Sequence, residues 1–118
     1  MPKGSCMCGA VKFELTGEPL GTILCHCTPC RKYAGANGST NLAVEAEHYH
    51  QTGEVRNWTR KVIVVRPEAM SGRLILKTGL LDSVADIERL SPKVELFVKD
   101  RIDPWCERSS DVILKEIA

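Results

Sequence analysis

Leu24-Cys25-His26-Cys27-Thr28-Pro29-Cys30-Arg31-Lys32 is the stretch whose reading decides the fold. It sets three thiols within six residues at C-x-C-x-x-C spacing. A thiolate binds Zn²⁺ at ~2.3 Å, and Zn²⁺ prefers four ligands in a tetrahedron. Three cysteines on one tight loop can cap one face of that tetrahedron. Pro29 pre-sets a turn between Cys27 and Cys30 and helps to aim two sulfurs at one point. The fourth position decides the chemistry: water or a substrate thiol there makes a catalytic site, and another cysteine makes a structural one.

Working outward, a second cysteine group lies upstream. Gly4-Ser5-Cys6-Met7-Cys8-Gly9-Ala10 is a C-x-C flanked by glycines, and Gly9 can take positive φ and turn the backbone around a metal. Five of the six cysteines fall in the first 30 residues. The N-terminus carries no apolar run of the signal-peptide kind, so the expectation is a reducing compartment, the cytoplasm, where such cysteines serve metals and not disulfides. Cys25, Cys27, Cys30, Cys6 and Cys8 are therefore the expected zinc ligands. His26 sits between two ligands, and neighbours in an extended segment point to opposite sides, so it faces away from the metal. His48 and His50 share a face but have no cysteine beside them, and read as a solvated strand end.

The chain has 118 residues and is read as one domain, 1–118. Its 16 basic and 15 acidic side chains leave a formal charge of +1, without the basic excess of a nucleic-acid or anionic-membrane binder. No apolar run approaches the ~20 residues of a membrane span. Aromatic content is 5%, so Val, Ile and Leu must build the core.

Alternation of apolar and polar residues predicts strands over Val11–Leu15, Leu20–Cys25 and Ser39–Glu45. Further strands are expected over Val55–Thr59, Lys61–Val65, Leu74–Leu76 and Val94–Lys99. Leu80–Leu90 is open between a turn of helix and irregular chain, and Ser110–Ala118 between a short helix and a last strand. Several short strands separated by turns describe a small all-β domain.

The runs Gly4-Ser5-Cys6-Met7-Cys8-Gly9-Ala10-Val11-Lys12-Phe13 and Cys25-His26-Cys27-Thr28-Pro29-Cys30-Arg31-Lys32 resemble the glutathione-dependent formaldehyde-activating enzyme family, which also includes centromere protein V. Arg66–Gly72, Leu76–Asp82 and Glu95–Arg101 resemble its downstream half in the style of its fungal members, so the resemblance covers about residues 3–105. It implies a β-tent, or Mss4-like, fold with zinc. It also implies a catalytic zinc on Cys25, Cys27 and Cys30, and a structural zinc on Cys6 and Cys8 together with a downstream C-x-x-C-G. The implied activity is carbon–sulfur lyase chemistry that joins glutathione and formaldehyde, so the implied partners are a small-molecule thiol and an aldehyde.

One departure from the family pattern matters. Its downstream C-x-x-C should fall between Trp58 and Glu68, where this chain has no cysteine. Cys6 and Cys8 alone cannot close a tetrahedral site. A non-catalytic zinc-stabilised binding module, or an inactive variant, is accordingly the alternative to the enzyme. For the loop site itself, Zn²⁺ with three thiolates carries a formal charge of −1, which suits a soft fourth ligand better than it suits water. Thiol activation is the expected chemistry, with His26, Tyr33 and water as the candidate acids for a carbonyl oxygen.

Overall fold

A computed structural model describes residues 1–56, 72–102 and 113–115. Among the described residues the chain is mostly strand, in two sheets with two short α-helices. β1 (Lys3–Ser5), β2 (Lys12–Leu15) and β5 (Tyr49–Thr52) make a three-stranded antiparallel sheet in the order β1-β2-β5. β3 (Gly21–Cys25), β4 (Ser39–Glu45), β6 (Arg73–Lys77), β7 (Val94–Leu96) and β8 (Ile113–Lys115) make the second, in the order β6-β4-β3-β7-β8. β3 runs antiparallel to β4 and parallel to β7, and β7 runs parallel to β8. The helices are α1 (Thr28–Ala34) and α2 (Val84–Arg89).

The alternation in β2 does what a period of two predicts: Phe13 and Leu15 are buried while Lys12 is exposed. They meet Leu42 and Val44 of β4, with Leu81 and Leu90 closing the cluster. Leu15 and Leu42 are fully buried, and the core lies between the two sheets. Phe13 packs against Tyr49 with ring centroids 5.5 Å apart. Across the β1–β2 ladder Phe13 faces Gly4, where a side chain would collide with the Phe13 ring and with the backbone of Leu80. The glycine leaves room for the aromatic ring to approach the neighbouring strand.

Some sequence expectations are revised, and two segments left open are settled. Thr28–Ala34 is helical, because Pro29 falls in the first turn, where the missing N–H has no partner to lose. The strand expected over Val94–Lys99 stops at Leu96. Phe97 takes φ 56°, ψ 47°, a left-handed conformation that no ladder accommodates, and a 3₁₀ turn follows over Val98–Asp100. Within Leu80–Leu90, Ser83 caps α2 by accepting the backbone N–H of Asp86 at 3.3 Å. The tail segment Ile113–Lys115 is a strand. Val55 and Arg56 lie outside any strand, and the rest of the Val55–Thr59 and Lys61–Val65 expectations falls outside the described residues.

Candidate metal centre

Central strand β3 delivers the cysteine loop. Cys25 is its last residue, pairs with Ser39 of β4 on one side and Leu96 of β7 on the other, and is buried. Cys27 precedes α1, and its sulfur accepts the backbone N–H of Cys30 at 3.3 Å. The helix thus begins on a thiol cap, which sets Cys27 and Cys30 on the same side of the first turn. The three sulfurs lie within 4.8 Å of one another. Sulfurs around one tetrahedral zinc at ~2.3 Å sit ~3.8 Å apart, so both donor set and spacing fit a thiolate-bound metal ion.

The surroundings treat the three thiols differently. Burial pushes the Cys25 thiol up, and it also pushes Cys30 up, reinforced there by the two neighbouring thiols. Burial opposes ionisation of Cys27 too. Hydrogen bonds from the Cys30 thiol and backbone and from the Cys25 thiol, with the charge of Lys77, outweigh it and bring Cys27 below the ordinary thiol value. Lys77 is held on β6 by Ser39 and by Asn41 Oδ1, the latter at 2.8 Å, and Asn41 is its register partner on β4. The cation acting on the cluster therefore comes from across the sheet. Arg31 and Lys32, adjacent in sequence, are exposed on α1.

His26 turns away from the sulfurs, as its place between two of them predicts, and it is buried. Its backbone N–H donates to Leu96 O at 3.0 Å, and its Nε2 lies 3.3 Å from Glu95 Oε1. Arg101 donates to Glu95 Oε2 at 3.0 Å. A buried His26–Glu95–Arg101 chain thus stands directly behind the thiol loop. Sequence reading took Glu95 for the polar half of an alternating strand. Its burial, with His26 and Arg101 against the carboxylate, shows instead that this polar face is covered.

Cys6 and Cys8 belong to no such group. They lie on the turn joining β1 to β2, Cys8 exposed and Cys6 partly so, with their sulfurs 2.8 Å apart. The turn is closed by Gly9 N–H donating to Cys6 O at 2.8 Å and Cys6 N–H donating to Val11 O at 3.0 Å, and Gly9 takes φ 75°. The hydrogen bond from Cys8 brings the Cys6 thiol down to about 7. Among the described residues the sole group of three or more metal-ligating side chains is Cys25, Cys27 and Cys30. Cys106 lies outside the described residues. His48 ends a 3₁₀ turn, and His50 is exposed beside Thr16, its Nε2 3.2 Å from Oγ1.

These features define a small all-β protein whose loop of three thiols can hold a metal ion. The chain belongs to the glutathione-dependent formaldehyde-activating enzyme family, whose sequence model matches residues 1–63 and so takes in both cysteine groups. A 47-residue stretch is 43% identical to a Halomonas elongata protein named for glutathione-dependent formaldehyde activation. That stretch covers 38% of this chain and 30% of the relative. Among the described residues no helix is long and apolar enough to cross a membrane.

Proposed function

We propose that the chain, acting as one β-tent domain over residues 1–118, is a zinc-dependent enzyme of the carbon–sulfur lyase type. It would join a small thiol such as glutathione to formaldehyde or another small carbonyl. The observation that carries this reading is the gathering of three cysteine sulfurs within 4.8 Å on one loop, with no fourth protein ligand in the group among the described residues. Cys25, Cys27 and Cys30 would hold the ion, leaving a coordination position for a substrate thiol. Zn²⁺ bound there would supply a soft Lewis acid that lowers the pKa of that thiol.

The residues of the chain have separable tasks. The three cysteines bind as thiolates, so all three must give up their protons, and Cys27 does so most readily. Lys77 offsets part of the negative charge that three thiolates bring. His26, Glu95 and Arg101 fix the loop from behind. Because the His26 imidazole is committed to Glu95, its ring is not placed to protonate a carbonyl oxygen on the sulfur side. The names given to the family and to the Halomonas relative support glutathione and formaldehyde as the substrates.

Zinc content of the reduced protein, read with glutathione–formaldehyde condensation, tests the proposal. About one zinc per chain should survive Cys6→Ser/Cys8→Ser, vanish in Cys27→Ala, and take the activity with it. Full activity in a zinc-free Cys27→Ala protein would refute it. Zinc retained by the loop without any thiol–aldehyde activity would favour the non-catalytic binding module.

A further inference from the structure

The Cys6–Cys8 turn has a geometry unlike that of the loop. Two sulfurs sharing a tetrahedral zinc at ~2.3 Å are held ~3.8 Å apart. Those of Cys6 and Cys8 are 2.8 Å apart, about 0.75 Å from the ~2.05 Å of a disulfide bond. The turn fixes them in this approach, because both of its backbone hydrogen bonds close around Cys6 and Gly9 holds the left-handed residue. Its base is anchored by Ser5 Oγ, which donates to Asp82 Oδ1 at 2.6 Å. Cys8 is exposed, and no third metal-ligating side chain joins the pair among the described residues. A low-molecular-weight disulfide therefore has open access to two sulfurs already brought together.

From this geometry we propose that Cys6 and Cys8 form a dithiol that exchanges with small-molecule disulfides, a second reactive site separate from the metal-binding loop. One thiolate of the pair attacks a sulfur of the disulfide RSSR, whose S–S bond breaks, and RS⁻ leaves with the electron pair. The other cysteine gives its proton to solvent and attacks the protein sulfur of the mixed disulfide, and the second RS⁻ departs. Both leaving thiolates take up protons. In sum two protein thiols are oxidised, RSSR is reduced to two RSH, and a Cys6–Cys8 bond forms; excess thiol reverses it. Accessible thiols poised beside a partner are the ones that take part in such exchange.

The sequence makes the test clean. Trypsin cleaves after Lys3, Lys12 and Arg31, so fragment 4–12 carries Cys6 and Cys8 and fragment 13–31 carries the three loop cysteines. The reduced full-length chain is equilibrated with mixtures of glutathione and glutathione disulfide, quenched with acid, alkylated with a maleimide, digested and weighed. Fragment 4–12 should lose two hydrogens and refuse maleimide as the disulfide share rises, and should recover when glutathione is restored. Cys6→Ser and Cys8→Ser should each stop with one glutathionyl group on the remaining thiol. The proposal falls if fragment 4–12 carries two maleimides across the whole series, or two glutathionyl groups without an internal bond. It also falls if both thiols are shielded until a chelator is added, since the pair would then be a metal site. Failure of the loop to bind zinc would appear in fragment 13–31 and leave this readout untouched.

Discussion

The loop thiols and the hairpin thiols differ first in what stands behind them. Cys25 ends a central strand flanked on both sides, and the loop that follows is backed by a buried histidine, carboxylate and guanidinium. Cys6 and Cys8 sit on the turn between β1 and β2, and Cys8 is exposed to solvent. The same side chain thus meets opposite conditions. In the loop, burial raises two of the three thiols and metal binding must displace their protons. On the turn, a neighbouring thiol lowers Cys6 to about 7 with little burial to oppose it. Spacing follows suit: three sulfurs spread to within 4.8 Å around a point, against two pressed to 2.8 Å. A cysteine motif read from sequence therefore does not name its chemistry until the packing behind it is known.

The contrast can be broken most forcefully at Glu95. Glu95→Ala leaves Arg101 and His26 buried without their shared carboxylate, and unfolding in denaturant should show a loss of about 3–5 kcal/mol. A loss below about 1 kcal/mol would mean that the chain behind the loop contributes little. Oxidation of fragment 4–12 under native conditions should be unchanged in the same variant.

The turn is sharpened by Cys8→Ala. The hydrogen bond from Cys8 is the main cause that brings the Cys6 thiol below its ordinary value, and removing that donor moves its ionisation to higher pH. Alkylation of Cys6 at pH 7 should slow severalfold, and a rate profile against pH should shift to the alkaline side. An unshifted profile would show that Cys8 does not set the reactivity of Cys6.

Lys77→Met should have a smaller effect, confined to the loop. Cys27 should ionise at higher pH in the metal-free protein, because the cation that favours its thiolate is gone. Zinc affinity by competitive chelation should weaken by about 1 kcal/mol or less, a factor of ~5. Arg89→Ala is the near-silent control. Its contact with Glu18 at 2.8 Å joins two exposed side chains screened by solvent, and the unfolding midpoint should be unchanged within error, with both thiol sites unaffected.

What the sequence makes legible is what local pattern encodes. β4 falls on the expected Ser39–Glu45, and β2, β3 and β6 fall within a residue of the expected spans, because a strand with one buried face must alternate. The three loop cysteines are close in sequence and close in space. The supporting residues are not. Lys77 reaches the site through its pairing with Asn41, and Glu95 through the parallel register of β7 on β3; neither register leaves a mark in the local sequence. The opening of α1 was obscured for another reason. Pro29 suits a tight turn and the first turn of a helix equally well, and the cap that decides between them is a cysteine sulfur, outside the usual Ser, Thr, Asp and Asn.

The pairing of β3 with β7 also sets an order in time. Ile23 meets Val94, so the strand carrying Cys25 gains its second neighbour from chain made some seventy residues later. During synthesis the thiols emerge well before Glu95 and Arg101 can brace the loop, and such distant pairings form slowly. A metal ion captured in that interval would hold the loop in shape ahead of the sheet, and an oxidant reaching it first would lock the wrong sulfurs together. Refolding of the reduced chain should therefore give more native protein when zinc is present from the moment of dilution than when it is added an hour later. Equal yields would show that the sheet closes unaided.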